Sequence, residues 1–136
     1  MKKIAPLLIL LLLSGCSTLK GWVSPISSYD QKSYENFITL KVITKTFVDE
    51  CSPAIEQEKI DNYFLALDLV YEYEVGKGDE NIETIKQIEL FTERMQAFYQ
   101  EAKIKELSQT YKDLKKETLT RILDVIIATE YQKARR

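Results

Sequence analysis

The chain has 136 residues, with 19 lysines and arginines against 21 aspartates and glutamates, a formal net charge of −2, and no histidine. That balance offers no basic surface suited to nucleic acid. Without imidazole, the Ser-His-Asp and Cys-His arrangements, His-based zinc sites and the Glu-x-x-His pattern of di-iron bundles are all excluded.

The N-terminus, Met1-Lys2-Lys3, leads into an apolar run from Ile4 to Leu13 broken only by Pro6. A short basic region followed by about ten apolar residues has the build of a secretory signal, whereas a permanent bilayer span needs roughly 20. Next come Leu13-Ser14-Gly15-Cys16: an aliphatic residue, two small residues that suit a narrow cleavage site, and a cysteine. In that order these residues resemble the lipobox of bacterial lipoproteins. The resemblance covers residues 1 to 16. It implies cleavage before Cys16, a diacylglycerol thioether on its sulfur and usually a third acyl chain on the new amine. Two or three acyl chains hold a protein stably on a membrane where one does not, so the expected partner of Cys16 is a membrane. In a Gram-negative host the same family tends to keep proteins in the inner membrane when an aspartate follows the cysteine. Ser17 stands there, which favours the outer membrane, facing the periplasm.

Cutting 15 residues from 136 leaves 121, enough for one domain with a single core. The removed segment takes two lysines with it, leaving 17 basic against 21 acidic side chains, or −4. Residues 17 to 28, Ser-Thr-Leu-Lys-Gly-Trp-Val-Ser-Pro-Ile-Ser-Ser, read as a tether that reaches at most ~40 Å when extended. Trp22 either sits at the headgroup level, where amphipathic rings are comfortable, or plugs the underside of the domain. The expected division is 1–15 signal peptide, 16–28 lipidated cysteine and tether, and 29–136 helical domain.

From Tyr29 the pattern is helical. Tyr34, Phe37, Leu40, Ile43 and Phe47 recur at spacings of three and four and predict a core-facing helix from about Ser28 to Glu50. Cys51-Ser52-Pro53 follows. Ser52 as cap and Pro53 as first helical residue predict a second helix starting at Pro53, ended by Gly76 and Gly78. Its apolar residues, Ile55, Ile60, Tyr63, Phe64, Leu67, Val70 and Tyr71, with Leu65, Leu69, Tyr73 and Val75 on other sides, suggest a central helix. After Asp79 neither glycine nor proline occurs. Ile82, Ile85, Ile88, Phe91, Met95, Phe98 and Ala102 form one stripe, and Leu119, Ile122, Leu123, Ile126 and Ile127 another. One helix of some 55 residues would run ~80 Å, so a break is placed at Ser108 to Thr110, with Thr110 and Asp113 as a weak capping pair. Four amphipathic helices without a strand pattern predict an all-α bundle.

With Cys16 carrying lipid, Cys51 has no intrachain partner. It forms either a disulfide to another chain, including a second copy in a homodimer, or a buried inert thiol. Gly76-Lys77-Gly78-Asp79 lacks the spacing and the Lys-Ser/Thr of a phosphate loop and reads as a turn. Neighbouring acids such as Asp49 and Glu50, or Glu56 and Glu58, read as a solvated face rather than a glycosidase-like pair. No residue is assigned as catalytic or metal-binding and no cofactor is expected.

Charge is polarised along the chain. Residues 49 to 93 hold 13 acidic and 3 basic side chains; residues 94 to 136 hold 6 acidic and 10 basic. Either the two poles face each other in the bundle and cancel, or the acidic hairpin meets a cationic partner while Lys133, Arg135 and Arg136 face anionic headgroups. Glu72, Tyr73, Glu74, Asp79 and Glu80 are the candidate partner-binding residues, Tyr73 being alternatively a core-margin tyrosine. The expected function is a membrane-anchored, non-enzymatic lipoprotein that binds another envelope protein, as an inhibitor or exclusion factor or as an accessory subunit. The alternatives are a self-associating structural lipoprotein, or a bundle that holds a small molecule or lipid in an apolar cavity of roughly 300 Å³ or more.

Overall fold

A computed structural model of the chain describes residues 29 to 135. The signal sequence, Cys16, the tether with Trp22, and Arg136 lie outside them. The described residues form four helices and no strand: α1 (Gln31–Glu50), α2 (Gln57–Val75), α3 (Ile82–Ala102), entered through a 3₁₀ turn (Asp79–Asn81), and α4 (Gln109–Lys133). None of them is long and apolar enough to cross a membrane.

Each helix starts or stops for a local reason. Helix α1 begins at Gln31, capped by Asp30, which accepts from the Lys32 backbone N–H at 2.9 Å. Pro53 disfavours helical backbone at the residue before it, and α1 ends at Glu50 with Cys51 extended. Ser52 does act as a cap-like acceptor, from the Ala54 N–H at 3.3 Å, but it closes a single turn. Helix α2 begins at Gln57, four residues later than the Ser52-Pro53 signal predicts. Glycine ends α2: Gly76 caps it, and Gly78 adopts φ 85°, ψ −168°, a region that only glycine occupies without strain. Ser108 caps α4 by accepting from the Tyr111 N–H at 3.2 Å. The break runs from residue 103 to 108, mostly ahead of the expected Ser108 to Thr110, and Thr110 lies inside the first turn of α4 and is not the cap.

Short connections make sequential helices antiparallel, and the cross-helix pairs fix their register. Tyr34 meets Tyr131, Lys41 pairs with Asp124, and Asp49 with Lys116, so α4 runs against α1. Ser33 with Glu74 and Thr44 with Tyr63 set α2 against α1, while Tyr71 with Glu89 sets α3 against α2. Each helix packs along two neighbours in a ring, α1 most extensively on α4, and across the α1–α3 diagonal Phe47 lies 6.3 Å from Tyr99 between ring centroids. Helix α2 is thus not central. It gives one side to α1 and another to α3, and Leu65 and Leu69 remain 57% and 63% exposed.

The interior differs from end to end. Phe47 stacks on Tyr63 at 4.2 Å between ring centroids, with Phe64 and Tyr99 edge-on around them, joining α1, α2 and α3. Aromatic pairs of this kind contribute about 0.5–1.5 kcal/mol each beyond the area they bury. Phe37, Leu40, Leu67, Ile88, Phe91, Met95, Leu123 and Ile126 fill the middle. At the opposite end, where α1 starts and α4 finishes, Ser33, Glu74, Asn81, Thr84 and Glu130 are buried polar residues.

Candidate functional site

The five residues expected to contact a partner do not share one environment. Glu74 is fully buried: its carboxylate accepts from Ser33 Oγ and from Asn81 Nδ2 at 2.6 Å, and pairs with Lys77 at 3.1 Å. It is a structural group of the polar end and cannot belong to a contact surface. Two residues along from Glu72, the helical turn points its side chain inward rather than outward. Tyr73 is 39% exposed, with its hydroxyl donating to Asp30 Oδ2 at 2.8 Å. That bond pushes the Tyr73 phenol above its ordinary pKa. Burial works against the charge on Asp30, but hydrogen bonds from Tyr73 and the Lys32 N–H and the charge of Lys77 outweigh it and hold the carboxyl below its usual range. Tyr73 is therefore tied to the α1 cap, its ring edge left open. Asp79 and Glu80 are exposed in the 3₁₀ turn at the polar end, the end at which the chain preceding Tyr29 joins the bundle. Glu72 is exposed on the outer side of α2.

That outer side of α2 carries a feature the candidate list missed. Glu58, Asp61, Leu65, Asp68 and Glu72 lie at spacings of three and four, all exposed, with Leu69 beside them. They form one stripe along the helix, two leucines set among four carboxylates. Across the α2–α3 seam a groove of about 310 Å³ is lined by Asp68, Glu89 and Glu93 with Tyr71, Thr92 and Gln96, extending the negative surface onto α3. The spacing was legible in the sequence. Which side of α2 faced outward was not, because apolar residues occur all round it.

The two charge poles do not cancel across the bundle. Among the described residues, Asp49 with Lys116 is the one ion pair joining residues 49–93 to residues 94–135, and Glu58, Asp61, Asp68 and Glu72 have no ion-pair partner. Helix α4, which carries much of the positive charge, lies diagonally opposite α2. At about a Debye length of 8–10 Å near physiological salt, exposed charges that far apart are largely screened from each other. Lys133 and Arg135 do lie at the end where α1 starts. Lys133 is, however, paired with Glu130, and Arg135 is packed over the Tyr131 ring.

Cys51 is a free thiol with no solvent exposure. Burial pushes its pKa up to about 11, opposed by the charge of Lys112. The thiol cannot meet a cysteine of another chain unless the α1–α2 turn opens, so the intermolecular disulfide is set aside. Grooves of about 400 Å³ run along the α1–α2 seam and open to solvent, with polar and charged residues such as Lys32, Asn36, Glu50 and Lys59 in their walls. They are not the enclosed apolar chamber a lipid-holding bundle requires. No group of three or more Cys, Asp or Glu side chains suited to a metal ion occurs among the described residues.

No protein-family model matches the chain, and no curated protein or solved structure does either.

Proposed function

We propose that this protein is a lipid-anchored envelope lipoprotein that works by binding, its partner being another protein of the envelope that presents positive charge. The observation that carries this reading is the acidic outer side of the α2–α3 hairpin, where Glu58, Asp61, Asp68, Glu72, Glu89 and Glu93 have no ion-pair partner among the described residues. Holding like charges on one side costs stability unless something offsets them, and a cationic partner does so while gaining rate and specificity of encounter. The lipobox at Leu13-Ser14-Gly15-Cys16 supplies the anchor. Asp79 and Glu80 lie at the polar end, where α1 starts, and the α2 stripe runs along the side of the bundle.

The test is chemical crosslinking of the protein in its native envelope, with mass spectrometry of the adducts and Asp68→Lys/Glu72→Lys as control. A distinct protein captured by the wild type and lost in the control supports binding. Self-adducts alone, or none, move the reading to the structural alternative.

A further inference from the structure

Deepening that reading, on which it rests, we infer that the element of the partner seated on this protein is a helix, amphipathic and basic, lying along the outer stripe of α2. Three features converge. The stripe is straight and long: from Glu58 to Glu72 it spans four turns, ~21 Å at 1.5 Å per residue. It is apolar where a helix would touch first, Leu65 and Leu69 standing at i and i+4 near its middle, each more than half exposed. Along the stripe and towards α3 the charges are of one sign, Glu58 and Asp61 towards one end, Asp68 and Glu72 towards the other, and Glu89 and Glu93 across the seam, all exposed, while Lys32 of α1 lines the groove on the other side of Leu69.

Helices recognise one another through apolar residues at three- and four-residue spacing, with flanking charges that set partner choice. Here the apolar seam is only two leucines wide, and the stripe and its α3 side are acidic. A matching helix has a short apolar stripe between lysines and arginines. An acidic or neutral helix would leave the carboxylates facing like charge or buried without a partner, either of which costs free energy. A flexible basic tail would satisfy the carboxylates but leave the leucines wet.

Site-specific photocrosslinking in the native envelope tests this with the full chain. Leu69→p-benzoylphenylalanine places the reactive ketone on the stripe, and Val125→p-benzoylphenylalanine places it on the exposed side of α4. Both positions are more than half exposed, and thermal melts of the two variants should match the wild type. The expected adduct forms at position 69, not 125. It maps to a partner segment with lysines or arginines and apolar residues at helical spacing, and falls about tenfold when Asp68→Lys and Glu72→Lys are added, the effect of losing ~1.4 kcal/mol of complementarity. An adduct at 125 alone overturns the surface but leaves the binding function standing. An adduct at 69 with a second copy of this chain, or with an acidic or non-helical segment, overturns the basic helix. No adduct at either position, with no partner in the general crosslinking, overturns both.

Discussion

Glu74 is a fully buried carboxylate held by Ser33, Asn81 and Lys77. Removing one member of such a buried group leaves the others desolvated and unpaired, at a cost of about 3–5 kcal/mol. Glu74→Ala should shift the urea midpoint accordingly, while Glu72→Ala, two residues away and exposed, should leave it within about 0.5 kcal/mol. In the sequence these two glutamates look alike. Glu74 is distinguished only by Ser33 and Asn81, brought to it from other elements by the fold. The same end has unsatisfied acceptors, Asn81 Oδ1 and Glu130 Oε2, without a hydrogen-bond partner among the described residues. Cys51 carries a pH signature. Burial raises its pKa from 9.0 to about 11, so the folded state keeps a proton that the unfolded chain releases. That contribution is present in full below pH 9 and is lost as pH rises through about 11. Stability measured from pH 8 to 11 should fall more steeply for the wild type than for Cys51→Ala, and a maleimide should label Cys51 only after unfolding.

At the scale of the element, the turns decide how many helices form and where they begin. Gly78 has a positive φ with open space where a Cβ would go, so Gly78→Ala meets no clash and pays only in backbone strain. An expected loss of about 1–3 kcal/mol should appear in chemical denaturation. Ser108→Ala removes the α4 cap and should cost about 1 kcal/mol by the same measurement. The periodic stripes made all four helices legible, since a buried face leaves its mark every three or four residues. Their boundaries were less so. Ser52-Pro53 has the chemistry of a helix start, but the chain needs the extended stretch through Glu56 to cross from α1 to α2 and tuck Ile55 against the core. A local signal was overruled by the distance the connection had to cover. The all-round apolar surface of α2 misled in the same way: Leu65 and Leu69 look like core until the ring arrangement leaves them no neighbour.

For the molecule as a whole, the anchor and the acidic stripe make separable predictions. Cys16→Ala should abolish incorporation of a labelled fatty acid and release the protein from the membrane pellet without changing the unfolding midpoint of the bundle, whose described contacts involve residues 29 to 135 alone. Raising salt towards 1 M, where the Debye length is about 3 Å, should weaken capture of a cationic partner while leaving the bundle folded. The ring arrangement of helices also bears on when the fold can form. The most extensive helix contact joins the first element to the last, and Lys41 meets Asp124 across 83 positions of sequence. As the chain is made from its N-terminus, α1 has α2 for company early, but the side bearing Tyr34 and Lys41 waits until nearly the final residue exists. Contacts so distant in sequence slow folding and leave apolar surface bare in the interval. A product truncated before Gln109 therefore has no means of closing the ring, and a protease should remove it where the complete chain survives.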